Sequence, residues 1–335
     1  MKIAVDAMGG DFAPREIVRG VCRATELYDV DAILVGQEEA IRACIPARFA
    51  DSPRISVVNA TEVIRMDDHV DAIRTKKDAS LVRCAELVRS GEADAMVGVG
   101  NTAATMSVAT LKIGRVPGIH RPAISSVFPG IDGPSIVLDL GAVADCTPRN
   151  LVEFAYMGSI YAQKVLKLRS PKVALLSIGE EESKGNEVTK ATHQLLKKSS
   201  LNFIGNIEGR QICDNYADVI VTDGFTGNVT LKVAEGMGAF FKTILKNAIK
   251  KNILCGIPFI MMAPVLSYIK KKLDYTEYGG APLLGINGVC IIGHGRSNAK
   301  AVCNAVKAAK TAAESRLVQS ISECAAEVKE TLSAQ

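Results

Sequence analysis

The order of apolar segments predicts an α/β fold, a mostly parallel sheet with helices on both faces. Three observations carry that expectation. Short apolar runs rich in β-branched residues alternate with amphipathic stretches almost to the C-terminus. The runs are apolar throughout rather than alternating, as strands buried on both faces are. Strand–helix alternation sustained at this length assembles into parallel units with crossover helices. The clearest case is Asp218–Thr222, a buried strand by composition, which breaks at Asp223-Gly224. Apolar residues then recur at helical spacing at Val229, Val233, Met237, Phe240, Ile244 and Ala248. With 335 residues, 48% hydrophobic and 23% charged, the chain is globular and long enough for one large α/β unit over 1–335. A helical segment at about 236–276 is expected to protrude from it and serve a dimer or a membrane.

Expected strands are Lys2–Ala7, Asp31–Gly36, Arg54–Ala60, Ala93–Val99, Ala123–Pro129, Ser135–Leu140, Lys172–Ile178, Asn202–Gly209, Asp218–Thr222 and Val289–Gly293. Expected helices are Pro14–Tyr28, Ala72–Ser90, Thr102–Lys112, Pro148–Leu166, Glu187–Lys198 and Asn228–Lys251. Thr147-Pro148 is a helix start by chemistry, a hydroxyl N-cap before proline at the first helical position. A last helix, rich in alanine and lysine from Ser297 onward, is expected to cover the sheet edge.

A net charge of +4, without an arginine-rich tract or aromatic RNA-binding signature, argues against nucleic acid as a partner. The nine cysteines stand singly, with no C-x-x-C and no Cys/His set at metal spacing. That pattern fits a reducing cytoplasm, and no metal or cofactor is expected. Met1 leads straight into a strand, which leaves no room for a signal peptide and gives the same expectation.

In a parallel sheet ligands sit beyond the carboxyl ends of the strands. Six strand ends here are rich in glycine, five of them with acidic or amide residues and the sixth with a histidine: Asp6–Asp11, Gly98–Thr102, Asp139–Gly141, Gly179–Asn186, Asp223-Gly224 and Gly293–Gly295. Converging on one rim, they would suit a polyanionic ligand. At Asp223–Asn228 free N–H groups of a helix start would face an anion, glycines 224 and 227 would admit it, and Asp223, Thr226 and Asn228 would add side-chain bonds. An ordinary capped turn explains that stretch equally well.

The blocks DAMGGD at 6–11, GNT at 100–102, IGEEESKGNE at 178–187, VTDGFTGNV at 221–229 and YGGAPLLGINGV at 278–289 resemble the phosphate acyltransferase (PlsX) family. They stand in order and reach from residue 1 to about 310. Two positions depart from the family pattern. Ala103 replaces a glycine after GNT, and Val143 stands where an asparagine is usual. The resemblance implies a fold similar to the isocitrate/isopropylmalate dehydrogenases and the phosphotransacetylases. It implies reversible transfer of an acyl group from acyl-[acyl-carrier-protein] to inorganic phosphate, feeding membrane phospholipid synthesis. It also implies a homodimer in peripheral contact with the inner face of the membrane or with a membrane-bound acyltransferase.

Residue chemistry agrees with such a transfer. Phosphate is its own nucleophile, and the chain has no G-x-S-x-G elbow and no obvious Cys–His pair. Lys184, in a glycine-flanked loop, is the expected phosphate clamp; a solvated surface lysine is the bland alternative. Asn101 and Asn228 are expected to donate to phosphate or oxyanion, backed by Thr102 and Thr226. Asp6, Asp11, Asp139 and Asp223 are assigned loop-fixing roles beside Gly9, Gly10, Gly141, Gly224 and Gly227, because a carboxylate facing phosphate repels it. His294, between two glycines, either protonates the departing thiolate or closes a turn. His69, His120 and His193 are expected in surface or loop roles.

Three other functions compete. Gly98–Ala103 satisfies G-x-G-x-x-A, as in a nicotinamide dehydrogenase, but no acidic residue stands about 20 positions on. A phosphotransacetylase acting on coenzyme A thioesters is chemically close. A non-enzymatic scaffold bringing carrier protein to a membrane would not need the glycine-acid strand ends. Ile253 to Ile269 carries no charge and is flanked by lysines, and Gly256, Pro258 and Pro264 break it as a spanning helix. It is expected to meet lipid and a second subunit rather than cross a bilayer.

Overall fold

A computed structural model describes residues 1–69, 71–251, 262, 264, 265, 268 and 279–333. The strands are β1 (Lys2–Asp6), β2 (Asp31–Gly36), β3 (Ile55–Asn59), β4 (Ala95–Gly98), β5 (Ala123–Pro129), β6 (Pro134–Leu138), β7 (Val173–Leu176), β8 (Phe203–Ile207), β9 (Val219–Val221), β10 (Ala281–Leu284) and β11 (Val289–Ile292). They form one sheet in the order β3-β2-β1-β4-β11-β10-β5-β6-β9-β7-β8. The helices are α1 (Arg15–Leu27), α2 (Glu38–Cys44), α3 (Ala72–Thr75), α4 (Ser80–Ser90), α5 (Thr102–Val108), α6 (Pro148–Lys164), α7 (Glu187–Lys197), α8 (Gly224–Lys251), α9 (Ala299–Glu314), α10 (Leu317–Glu323) and α11 (Ala325–Ser333).

The apolar runs are continuous because both sheet faces are buried. Ile3, Val5, Leu34, Val97, Leu138, Val219 and Ile291 point into one core, shared with residues of α1, α6, α7 and α9. Their neighbours Ala4, Val35, Met96, Val137, Ile220 and Cys290 point into the other, shared with α4 and α5. Period-2 geometry makes this division, and it places helices on both faces as expected.

Parallel pairing joins β3, β2, β1, β4 and β11, and separately β6, β9, β7 and β8. Between these sets, β10 is antiparallel to both β11 and β5, and β5 is antiparallel to β6. The second parallel set therefore runs opposite to the first. The single rim expected from the sequence becomes two groups of strand ends. β1, β4 and β11 end in one group; β6, β9 and β7 end in the other.

β10 was not among the expected strands. A four-residue run containing Pro282 reads against a central strand, because proline has no N–H for the ladder. Only its pairing with distant Ile291 and Ile124 makes it one. The helix expected over Ala72–Ser90 is two pieces. Between them Lys76 Nζ donates to Val63 O (2.9 Å) and pairs with Asp68 (2.5 Å), and Asp78 accepts from Thr61 N (2.8 Å). These long-range bonds outweigh local helix propensity. The single helix expected from Ser297 onward is three among the described residues, and the first of them, α9, packs on α1 and lies over β4 and β11 at the middle of the sheet, not its edge. Gly20 makes the approach possible, since a Cβ there would meet the Ala299 carbonyl oxygen and Val302.

α8 leaves the sheet carrying the apolar spacing seen in the sequence, but the stripe faces outward. Val233 is 59% exposed, Phe240 54% and Phe241 63%. Most of the uncharged Ile253–Ile269 segment, and with it much of the expected protrusion, lies outside the described residues. No described helix is long and apolar enough to cross a membrane.

At the root of α8, a Cβ on Gly227 would overlap the Asp139 carbonyl oxygen and crowd Thr222. The backbones of both residues are held, Asp139 N donating to Thr222 O (3.0 Å) and Thr222 N to Leu138 O (2.8 Å). Gly227→Ala should therefore cost about 3 kcal/mol, at the upper end for overpacking. A urea unfolding midpoint unchanged from wild type would contradict this packing.

Candidate functional site

The first strand-end group is built by backbones packing on one another. A Cβ on Gly9 would lie 3.2 Å from Gly100 N, and one on Gly10 would lie 2.6 Å from Val99 O and 2.9 Å from Gly295 O. Asp11 N donates to Gly295 O (2.8 Å), tying the ends of β1 and β11. These glycines admit neighbouring protein segments. Asp6 is buried, with Oδ1 accepting from Ser80 Oγ (2.6 Å) and Met8 N (3.1 Å). Burial raises its carboxyl above the ordinary value, and those hydrogen bonds partly offset the rise.

Asn101 is spent on the protein itself. Its Oδ1 accepts from Ala104 N (3.0 Å), capping α5, and its Nδ2 donates to Met66 O and Asp68 O (both 3.2 Å). Thr102 follows as the first, exposed residue of α5. His294 belongs to this group too. Its Nδ1 accepts from Arg296 N (3.2 Å) and its carbonyl from Ser297 N (2.9 Å), so it closes the turn before α9.

The second group centres on Asp139, at the end of β6. Its Oδ1 accepts from Ile124 N (2.9 Å), Ala142 N (3.0 Å) and Gly141 N (3.2 Å), and its Oδ2 from Val143 N (2.7 Å). One carboxylate thus holds the start of β5 and the turn after β6. Gly224 lies against it, since a Cβ there would be 2.7 Å from Asp139 Oδ2. The start of α8 is capped from within. Asp223 accepts from Thr226 N and Thr226 Oγ1 (both 2.8 Å), and its carbonyl accepts from Gly227 N (2.9 Å). Asn228 stands exposed beside Gly141, where a Cβ would be 3.6 Å from the asparagine side chain.

Beyond β9, the end of β7 carries the Lys184 loop. Lys184 N donates to Glu181 O (3.0 Å), and the lysine stem lies on Gly179, where a Cβ would be 2.8 Å from Lys184 Cγ. Two of the three preceding glutamates are engaged elsewhere. Glu180 pairs with Arg210 (3.3 Å) and Gln211 (3.0 Å), and Glu182 with Lys197 (2.6 Å). Lys197 beside it holds the Glu182 carboxyl below its ordinary range. Lys184 is exposed, and Glu180 and Glu182 are held by other cations. β9 and β7 are adjacent and parallel, paired Leu175 to Val221, so the Lys184 loop and the start of α8, which carries Asn228, follow neighbouring strand ends. His294 stays with the first group.

Cys146 accompanies the second group. Burial pushes its thiol up to about 12, so it is protonated near neutrality and supplies no thiolate nucleophile. Among the described residues no His/Cys/Asp/Glu set is arranged to hold a metal ion.

Two histidines expected in surface or loop roles have buried partners. Glu153 on α6 is fully buried; it accepts from His120 Nδ1 (2.8 Å), His120 N (2.9 Å) and Arg149 Nε (3.1 Å). Arg115 donates to the His120 carbonyl. His193 is itself buried, 3% exposed, with Nδ1 against Asn206 Oδ1 (2.9 Å). Glu153, a lone acid on the buried stripe of an apolar helix, was the one sequence signal for either cluster.

The whole chain is similar to known proteins. Residues 1–320 match the family described as fatty acid synthesis protein. The chain is 51% identical to a phosphate acyltransferase of Pelotomaculum thermopropionicum, covering 96% of this chain and 94% of that one. It is 49% identical to a phosphate acyltransferase of Desulfitobacterium hafniense, covering 96% of each. A solved phosphotransacetylase from Streptococcus pyogenes matches with TM-score 0.64 at 19% identity, covering 95% of this chain and 94% of that one. The EutD phosphotransacetylase from Staphylococcus aureus matches with TM-score 0.59 at 18% identity over 94% of both. At such identities the structural likeness establishes the fold alone, the phosphotransacetylase-like fold that the sequence blocks implied.

Burial raises the Asp139 carboxyl above its ordinary 3.8, and its backbone donors offset only part of the rise. The folded state therefore holds that proton more tightly than the unfolded chain does. Its contribution to stability falls as pH rises from about 4 through the raised value. Asp139→Asn lacks this component and sets Nδ2 against the Val143 N–H. The variant should be less stable than wild type at low pH, with the gap narrowing as pH rises. Urea midpoints measured across pH check this; parallel curves would contradict it.

Proposed function

Because the chain belongs to the fatty acid synthesis protein family, beside relatives named phosphate acyltransferase, we propose that it transfers a long-chain acyl group reversibly from acyl-[acyl-carrier-protein] to inorganic phosphate. The acyl phosphate formed would serve phospholipid biosynthesis. The observation that carries this reading is likeness to those relatives over 96% of the chain. The placement of Lys184 and Asn228 after the neighbouring strands β7 and β9 supports it.

In this reading a phosphate oxygen attacks the thioester carbon, forming a C–O bond and a tetrahedral oxyanion. The C–S bond then breaks, and the proton of hydrogenphosphate passes to sulfur. Lys184 holds the phosphate, because its ammonium is exposed on a loop where Glu180 and Glu182 are paired with Arg210 and Lys197. The Asn228 amide, exposed beside Gly141, donates to the oxyanion. Asp139 and Asp223 hold the surrounding turns and stay off the phosphate, with Gly141, Gly224, Thr226 and Gly227 completing those turns. The proton balance closes without a protein acid, and His294 keeps its turn-closing contacts.

The outward apolar stripe of α8 fits a homodimer, since a row of exposed Val233, Phe240 and Phe241 gains from burial against a second copy. The lysines at 242 and 246 lie at i,i+4 and fit an acidic carrier protein or an anionic leaflet. The protein then works in the cytoplasm, against the inner face of the membrane.

A single assay tests the chemistry. The protein is incubated with acyl-carrier-protein thioester, coenzyme A thioester or NAD, with and without phosphate, while free thiol and absorbance are followed. Phosphate-dependent thiol release from the carrier-protein thioester is expected. Release independent of phosphate would overturn the reading, and equal release from coenzyme A thioester would move it to a phosphotransacetylase. Lys184→Ala should lower turnover about 100-fold while circular dichroism stays unchanged. For the assembly, Val233→Glu should convert a dimer to a folded monomer by light scattering, and a monomeric wild type would remove the dimer.

A further inference from the structure

Asn206 is a buried amide on edge strand β8, 3% exposed in a segment otherwise suited to an apolar strand. Its two polar atoms have two partners. Nδ2 donates to Glu181 O (3.0 Å), the carbonyl that also accepts from Lys184 N (3.0 Å). Oδ1 faces His193 Nδ1 (2.9 Å). A carbonyl cannot donate, so Nδ2 must point at Glu181 and Oδ1 at the imidazole, which requires the proton on Nδ1. His193 is buried on α7 with its ring edge-on to Phe203 (centroids 5.1 Å apart). Its Nε2 lies 3.7 Å from Glu182 Oε1, in the same loop.

From these contacts we infer that Asn206 is a positioning residue for Lys184, with His193 holding the amide in register. The inference rests on the reading that Lys184 binds phosphate. The loop needs such a clamp. Gly179 and Gly185 flank the lysine, and Gly185 has φ +106°, a left-handed conformation that glycine adopts but does not enforce. The turn that sets the lysine backbone closes on Glu181 O, and Asn206 pins that carbonyl from the neighbouring strand. The chain of contacts runs His193 to Asn206 to Glu181 O to Lys184 N. His193 and Asn206 are buried, so their influence reaches the reaction through Lys184 alone.

Initial rates at varied inorganic phosphate, together with the rise in melting temperature that inorganic phosphate produces, test this. Asn206→Ala should raise the KM for phosphate about tenfold and leave kcat within about twofold. The phosphate needed for a given thermal shift should rise by the same factor. In a Lys184→Ala background, adding Asn206→Ala should cause no further loss, as for two residues acting on one interaction. If Lys184→Ala leaves both phosphate readouts unchanged, the reading that Lys184 binds phosphate is overturned. If Lys184→Ala weakens phosphate and Asn206→Ala does not, or if their losses add, the positioning role is overturned alone. Should Asn206→Ala fail to fold, Asn206→Asp takes its place under the same criteria. It is isosteric, keeps an acceptor for His193 and loses the donor to Glu181.

Discussion

The second group of strand ends depends on one buried carboxylate. Asp139 takes four backbone N–H groups, one from the start of β5 and three from the turn that follows β6. Burying a charge costs free energy unless hydrogen bonds replace its water, and here backbone donors supply part of that replacement. Because the donors belong to separate elements, desolvating one side chain fixes three things together: where β5 begins, how the chain turns after β6, and how closely α8 can approach. Gly224 and Gly227 are the counterpart on α8, since any side chain at either would displace Asp139.

The same economy of partners explains why Lys184 is left available. Exposed ion pairs contribute little to stability, but they decide which charges remain free. Glu180 and Glu182 are drawn to Arg210 and Lys197, which removes two of the three glutamates of the acidic run from competition for the lysine. At the other group of strand ends the balance is reversed. Asn101 and the glycines 9, 10 and 100 are occupied in holding protein segments together. Residue types that look equivalent as motifs thus divide into used and unused donors once their partners are known.

α8 shows how far a periodic pattern can be read. Apolar residues at helical spacing require that some surface cover them, and the helix is where the spacing placed it. The pattern contains no information on whether that surface belongs to the same chain. In this structure the stripe points away from the sheet.

By itself the sequence determined the alternating order of elements, ten of the eleven strands among the described residues, the burial of the sheet on both faces and the family blocks. Each of these follows from local composition or from spacing along a single segment. It also placed Lys184 on a loop after a strand and Asn228 at a helix start after another. Only the tertiary structure decided the rest. The reversal of strand sense depends on a four-residue strand whose partners, Ile291 and Ile124, are remote in the chain, and it splits six strand ends into two groups. Lys76 breaks a helix through Val63 and Asp68, and Asn206 reaches the Lys184 loop across 25 residues. Such contacts join residues whose separation along the chain carries no period, so they become legible only when the sheet has brought them within hydrogen-bonding distance.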